Sequence, residues 1–249
     1  METRQLYDYY SPIELDYSIT AEAKAAFMMQ WWAENFRVYS GVGLKREDFR
    51  HMVLESRLLF RHGLSELMQR SAELAVPMYV VSGGISEIIQ EHFETVLQNG
   101  EINNKEALSC WHTGKVFSNE FQYDAHSVVT GWKLPIVHIL NKQEVIYNSN
   151  IDFKRNVLVM GDILEDITMV RHQDHTIVLK IGFLNNPTKL AHLVGDFKHN
   201  YDLVIVNDGS LHPITYLLEY LFGREADGDA TFETYLEEIK GADMLREAV

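Results

Sequence analysis

The sequence predicts an α/β fold, a parallel sheet covered by helices on both faces and preceded by a helical segment. Three observations predict it. Short, unbroken apolar runs recur at Met78-Tyr79-Val80-Val81, at Asn156-Val157-Leu158-Val159-Met160, over 176–181 and over 201–206. Continuous rather than alternating apolar character marks strands buried on both faces, and such strands belong to parallel sheets. The first two runs each end in turn residues, Ser82-Gly83-Gly84 and Gly161-Asp162, with a helical pattern behind them. Residues 20 to 72, in contrast, carry helical periodicity and no strong strand signal.

Taken in order, Ala21 to Met29 is rich in helix formers, with Thr20 placed to cap it. A second helical pattern runs from about Lys45 to His62, through Phe49, Met52, Val53, Leu58 and Leu59, and a third from Leu64 to Leu74. Pro77 opens the first strand, and Ile85 to Leu97 reads as the helix after it. Residues 102–150 are less regular, with several short strands expected, Ile136 to Leu140 among them. The strands after Asn156 alternate with helical stretches, the last of them Ser210 to Phe222. This divides the chain into a helical segment over 20–72, an α/β core over 75–222 and an acidic, peripheral tail over 223–249.

Composition narrows the function classes. With 46% hydrophobic and 23% charged residues, the 249-residue chain has ample apolar material for a packed core. Acidic residues exceed basic ones by 14, which opposes a nucleic acid polymer as partner but leaves room for a small phosphorylated ligand at a locally positive site. The single cysteine, Cys110, excludes an intramolecular disulfide and disfavours a thiolate zinc site. No apolar run approaches the roughly 20 residues that span a bilayer, and Met1 to Glu14 is polar and tyrosine-rich, unlike a signal peptide. The expectation is a cytoplasmic protein without membrane attachment.

Three motifs could carry chemistry. Ser82-Gly83-Gly84 at a strand end offers a hydroxyl and bare backbone N–H groups for an anion, and reads equally as a tight turn. Asp162 and Asp166, four residues apart, suit a hard cation such as Mg²⁺, and read otherwise as an acidic helix start. Lys142 in His138-Ile139-Leu140-Asn141-Lys142 can neutralise phosphate oxygens, or be a solvated surface group. A Gly-x-Ser-x-Gly elbow, a Gly-x-Gly-x-x-Gly fingerprint, a Walker lysine motif and a His-Glu-x-x-His pair are all absent.

In combination, strand–Ser-Gly-Gly, then Lys, then strand–Gly-Asp-x-x-x-Asp resembles the haloacid-dehalogenase-type phosphohydrolases. Within them the chain resembles the cytosolic pyrimidine 5′-nucleotidases of class III. The resemblance is carried by YYSPIELDYSITAEAKAAFMMQWW (Tyr9 to Trp32), PMYVVSGGISEIIQEHF, WKLPIVHILNK, NVLVMGDILEDITMV, IVLKIGFLN and YDLVIVNDGSL, across roughly residues 9 to 222. It implies a haloacid-dehalogenase-like Rossmannoid sheet with residues 13–74 as a helical cap, and Mg²⁺-dependent hydrolysis of a nucleoside monophosphate. By the same resemblance Ser82 and Gly83 would hold the phosphate and Lys142 would balance its charge. Asp162 and Asp166 would serve Mg²⁺, and Gln30, Trp31 and Ser56 the base. Gln30 stands where the family usually has Glu, replacing an acceptor with an amide that also donates.

The family's Asp-x-Asp-x-Thr motif, at the end of the first core strand, supplies the nucleophile and the general acid–base. No apolar strand carrying it precedes Tyr9. Asp227-Gly228-Asp229-Ala230-Thr231 matches the letters but follows Gly223-Arg224-Glu225-Ala226 rather than a strand, and Asp16-Tyr17-Ser18 lacks the second acid. The expectations are a core without its first central strand, which lies between those ending at Ser82 and Gly161, and weak or no turnover by these residues alone. A nucleotide- or partner-binding relative without activity, or a truncated product, are the alternatives.

Overall fold

The computed structural model describes residues 2–16, 18–56, 58–98, 115–185 and 191–222. Cys110, Asp227, Asp229 and the acidic tail lie outside them.

The helical layer begins earlier than the sequence pattern suggests. Helix α1 (Thr3–Glu14) packs along α2 (Ala21–Gly41). Its tyrosines hold it there: Tyr10 is buried and stacks on Trp31 with centroids 5.7 Å apart, and Tyr7 lies tilted against the same indole. Thr20 caps α2 as expected, its Oγ1 accepting from Ala23 N. Helix α3 (Arg46–Glu55) stops well short of His62, and α4 (Leu64–Glu73) follows from Gly63, whose φ of 86° needs glycine.

Strand β1 (Tyr79–Ile85) pairs in parallel with β2 (Lys115–Asn119), and α5 (Ser86–Gln98) follows β1. Ile85 therefore extends the strand rather than opening the helix, across a register shift between Val81 and Ile85. A short antiparallel hairpin, β3 (Phe121–Tyr123) and β4 (Val129–Trp132), comes next. Ile136 to Leu140 is not a strand. Side chains take up its backbone groups instead: Asn119 bonds both Val137 N and Val137 O, and Asn141 Nδ2 donates to Ile136 O. Helix α6 (Lys142–Tyr147) leads to β5 (Asn156–Gly161). A 3₁₀ helix, Leu164–Met169, stands where an α-helix was expected. Then β6 (Ile177–Leu184), α7 (Val194–Asn200), β7 (Leu203–Val206) and α8 (His212–Leu221) complete the described chain.

Strands β5, β6 and β7 form one parallel sheet in that order. One face carries Ile181 and Ile205 against Leu67 of α4 and Ile214 and Leu218 of α8. The other carries Leu184 against Phe197 and Tyr201. Both faces are covered, as the unbroken apolar runs require. Helix α4, grouped with the cap by sequence, thus packs on the sheet. The helices before it meet the hairpin: Leu44 and Phe49 cluster with Phe121 and Val129, and Phe36 meets Trp132 edge-on.

The pair β1–β2 is not hydrogen-bonded to β5–β6–β7. Between β1 and β5 lies an apolar cleft of about 380 Å³ lined by Val80, Val81, Leu158, Val159, Ile146 and Leu218. This is the gap expected for the first central strand, and among the described residues no strand fills it. Two strand edges left unpaired in this way are templates for a further strand or for aggregation.

Candidate active site

The carboxyl ends of β1 and β5 come together with the start of α6. Lys142, in the first turn of α6, donates from Nζ to Asp166 Oδ1 at 2.6 Å. Asp166 is 3% exposed, and its other oxygen accepts from Asp162 N at 3.1 Å. One carboxylate thus fixes both the lysine and the backbone at the end of β5. Gly161 makes this possible, since a Cβ there would stand 2.2 Å from Asp166 Cβ. The Asp162 side chain faces the cleft between the helical layer and the sheet. Crowding by surrounding protein and then the Asp166 carboxylate push the Asp162 carboxyl above the ordinary range, with Lys142 opposing.

Ser82 and Gly83 sit at the carboxyl end of β1. Ser82 Oγ accepts from Gly84 N at 3.0 Å, and Gly83 O accepts from Asn119 Nδ2 at 3.0 Å. Asn119 is 2% exposed and also bonds Val137 N at 2.7 Å and Val137 O at 2.8 Å. It ties the Ser-Gly-Gly turn to the segment that leads into Lys142. Nothing in the sequence singles Asn119 out: it lies at a strand end in no recognisable motif. Asn119→Ala removes three hydrogen bonds in a buried setting and is expected to cost about 2–3 kcal/mol. The check is a urea unfolding series, in which an unchanged midpoint would deny Asn119 this role.

These groups open onto a cleft of about 840 Å³ whose walls include Gly83, Gly84, His138, Lys142 and Asp162 on one side. On the other stand Tyr7, Glu14, Met28, Trp31, Trp32, Asn35 and Tyr39. Met28, Trp31 and Asn35 follow helical spacing and share one face of α2. Asn35 Nδ2 donates to Trp31 O, leaving its carbonyl oxygen for other partners. Burial raises the Glu14 carboxyl, with Lys142 opposing and Asp162 adding to the shift. Burial pushes the His138 imidazole down, toward its neutral form.

Of the residues singled out by sequence, Gly83, Lys142, Asp162 and Trp31 line this cleft, while Ser82 precedes Gly83 and Asp166 stands behind the lining, bonded to Lys142 and Asp162 N. Gln30 and Ser56 do not line it. Gln30 is exposed and donates to Glu34 Oε1 at 3.0 Å, and Ser56 Oγ donates to Val53 O at 2.8 Å, closing the end of α3. On α2 the cleft-lining residues Met28, Trp31, Trp32, Asn35 and Tyr39 recur at helical spacing, and Gln30 lies outside that stripe. Tyr7 and Asn35 lie outside the segments that carry the resemblance, and Glu14 and Trp32 lie within one of them but have no local signature of a ligand contact.

Among the described residues no three His, Cys, Asp or Glu side chains converge as a metal cage. The donor set still fits Mg²⁺, which commonly takes only one or two carboxylates together with phosphate oxygens. Asp162 offers a carboxylate toward the cleft, beside a second acid whose charge a cation would offset.

The pyrimidine 5′-nucleotidase (UMPH-1) family model matches residues 1–222. A 7-methylguanosine phosphate-specific 5′-nucleotidase from Gallus gallus is 27% identical over 224 residues, covering 88% of this chain and 73% of that protein. The Homo sapiens protein of that name is 24% identical over 227 residues, covering 88% and 71%. Among solved structures, cytosolic 5′-nucleotidase IIIB bound to cytidine aligns with a TM-score of 0.71 at 22% identity, over 88% of this chain and 71% of that one. A phosphoserine phosphohydrolase-like protein from Francisella tularensis aligns with a TM-score of 0.52 at 14% identity, over 82% and 81%. The sheet order, the Lys142–Asp166 pair at the end of β5 and this match over nearly the whole length lead to one assignment: the chain has a haloacid-dehalogenase-like fold and belongs to the pyrimidine 5′-nucleotidase (UMPH-1) family of phosphoric monoester hydrolases.

Proposed function

We propose that the cleft binds a nucleoside 5′-monophosphate in the presence of Mg²⁺, with the phosphate at the ends of β1 and β5 and the base against α2. The observation that carries this is the placement of Lys142, Asp166 and Asp162 at one end of a cleft whose far wall bears Trp31 and Trp32. Ser82 Oγ, the Gly83 backbone and Lys142 Nζ hold the phosphate oxygens. Asp162, aided by Asp166, holds Mg²⁺, which neutralises phosphate charge when bound. Indole faces supply sequence-tolerant stacking surface for a base, and Asn35 supplies polar contact. Stacking accommodates a pyrimidine or a 7-methylated guanine alike, and the names of the relatives point to both.

The reaction of the family is hydrolysis of the phosphomonoester to nucleoside and phosphate. For these 249 residues alone we propose binding with weak turnover or none. Supporting this, the apolar cleft between β1 and β5 holds no described strand, and no described carboxylate stands at such a strand's end as nucleophile. In this reading Lys142, Ser82 and the acidic pair position a phosphate without the group that attacks it. The no-membrane reading is consistent with the described helices, none of which is long and apolar enough to cross a bilayer. Relatives carry the description cytosolic, and we place the protein in the cytosol.

The test is calorimetric titration with cytidine, uridine and 7-methylguanosine 5′-monophosphates, with Mg²⁺ and with chelator, alongside assay of released phosphate. Saturable, metal-dependent binding with little release is expected. Absence of binding by folded protein would overturn the reading, and metal-dependent release abolished by Asp162→Ala would overturn its inactive part.

A further inference from the structure

Helix α2 reaches the phosphate end of the site through a buried ion pair that no motif announces. Lys24 Nζ lies 3.3 Å from Glu165 Oε1, with the two side chains 3% and 17% exposed. The partners are 141 residues apart in sequence. Breaking a buried ion pair by removing one partner is costly, so the contact resists separation; Glu14 also feels the Lys24 charge. Glu165 Oε2 is buried and has no hydrogen-bond partner among the described residues, which makes Lys24 the group that holds this carboxylate. Glu165 directly precedes Asp166, whose own carboxylate locks Lys142 and Asp162 N. Lys24 is thereby tied to the phosphate end of the site.

On its other side Lys24 belongs to the helix face that lines the cleft. Met28, Trp31 and Asn35 follow it at spacings of four, seven and eleven. Two helical turns, about 10.5 Å, separate Lys24 from Trp31 along the axis. The far end of α2 is pinned to the hairpin through Phe36 on Trp132 and Tyr39 on Phe121. A helix fixed at both ends holds its indoles at a set distance from Ser82 and Lys142.

We infer that the Lys24–Glu165 ion pair is the spacer that sets this distance, making Lys24 a positioning residue for ligands that touch both the phosphate end of the site and the indoles of α2. The inference rests on the nucleotide reading of the cleft. It has a distinctive consequence. A ligand that touches both walls gains from their fixed spacing, because its second contact is made at high effective concentration. Ligands that touch only one wall do not.

The experiment titrates the full chain, in magnesium buffer, with cytidine 5′-monophosphate, cytidine and inorganic phosphate separately. Lys24→Gln and Glu165→Gln are each expected to weaken the monophosphate about tenfold, a loss of about 1.4 kcal/mol, while cytidine and phosphate change by less than about twofold. The double variant is expected to be no weaker than either single one, as for residues acting as one pair. Lys24→Arg, which keeps the charge, should restore most of the affinity. Should the Gln variants fail to fold, Glu165→Asp keeps the charge, shortens the reach by one methylene and is expected to weaken the monophosphate alone. Unchanged monophosphate affinity, additive losses, or parallel weakening of all three ligands would each overturn the spacer. Failure of the unaltered chain to bind the monophosphate would instead overturn the nucleotide reading itself.

Discussion

Lys142→Met is expected to lower stability by about 3–5 kcal/mol and to remove measurable phosphate binding, because it leaves a buried carboxylate without its cation. Asp166 is 3% exposed and makes its short contact to Lys142 Nζ through one oxygen and accepts Asp162 N through the other. With the lysine gone, a single backbone N–H remains to balance the charge. That loss is a large share of the 5–15 kcal/mol by which domains are usually stable. Chemical unfolding monitored by tryptophan fluorescence reads the first effect, and titration with inorganic phosphate the second. The double variant Lys142→Met/Asp166→Asn separates them. Neutralising the stranded acid should recover much of the stability and none of the phosphate affinity. Recovery of both would mean that Lys142 serves only to balance Asp166, and its assignment to phosphate would fall.

The parts of this site that sequence reveals are those with local signatures. Strand β5 is legible because Val157, Leu158 and Val159 form an unbroken apolar run that only a doubly covered strand explains. Asp162 and Asp166 are legible because strand ends carry the ligand sites of such sheets. That Asp166 would lie on a 3₁₀ turn and spend one oxygen on Lys142 is not legible, since that bond comes from a helix 24 residues away. Helix α1 escapes for a related reason. Its tyrosines and internal Pro12 give a weak local preference, and its order comes from Tyr10 against Trp31. Ile136 to Leu140 shows the reverse failure. Its apolar run suggests a strand, but side-chain amides of Asn119 and Asn141 satisfy its backbone before any strand can. Lys24 and Glu165 look like ordinary surface charges in a helix and a turn, and only the tertiary fold brings them together.

Among the described glycines, Gly161→Ala is expected to be the most damaging addition of a single methyl group. A Cβ at position 161 would stand 2.2 Å from Asp166 Cβ, 2.5 Å from its Oδ2 and 2.7 Å from its Cγ. Overlap with a flexible side-chain tip would be relieved by rotation, but this one is with Cβ itself, on a buried residue held at both carboxylate oxygens. Relief therefore means moving the 3₁₀ turn away from the end of β5 and breaking the Lys142 contact. Overpacking alone costs typically 1–3 kcal/mol, and the broken buried pair adds to it, so a loss of at least about 3 kcal/mol with collapse of phosphate binding is expected. Gly195→Ala is the internal comparison. It lies inside α7 with nothing within 4 Å of its added Cβ, and should stabilise by about 0.5–1 kcal/mol through helix propensity alone. The geometry also dictates which second change can help. Asp166→Ala keeps the clashing Cβ and should leave Gly161→Ala unimproved, whereas Asp166→Gly removes it and should recover part of the stability. Rescue by Asp166→Ala would place the conflict in the carboxylate rather than the backbone-attached carbon. Glycine at 161 would then be required for the charge arrangement, and not for the close approach of β5 to the turn behind it.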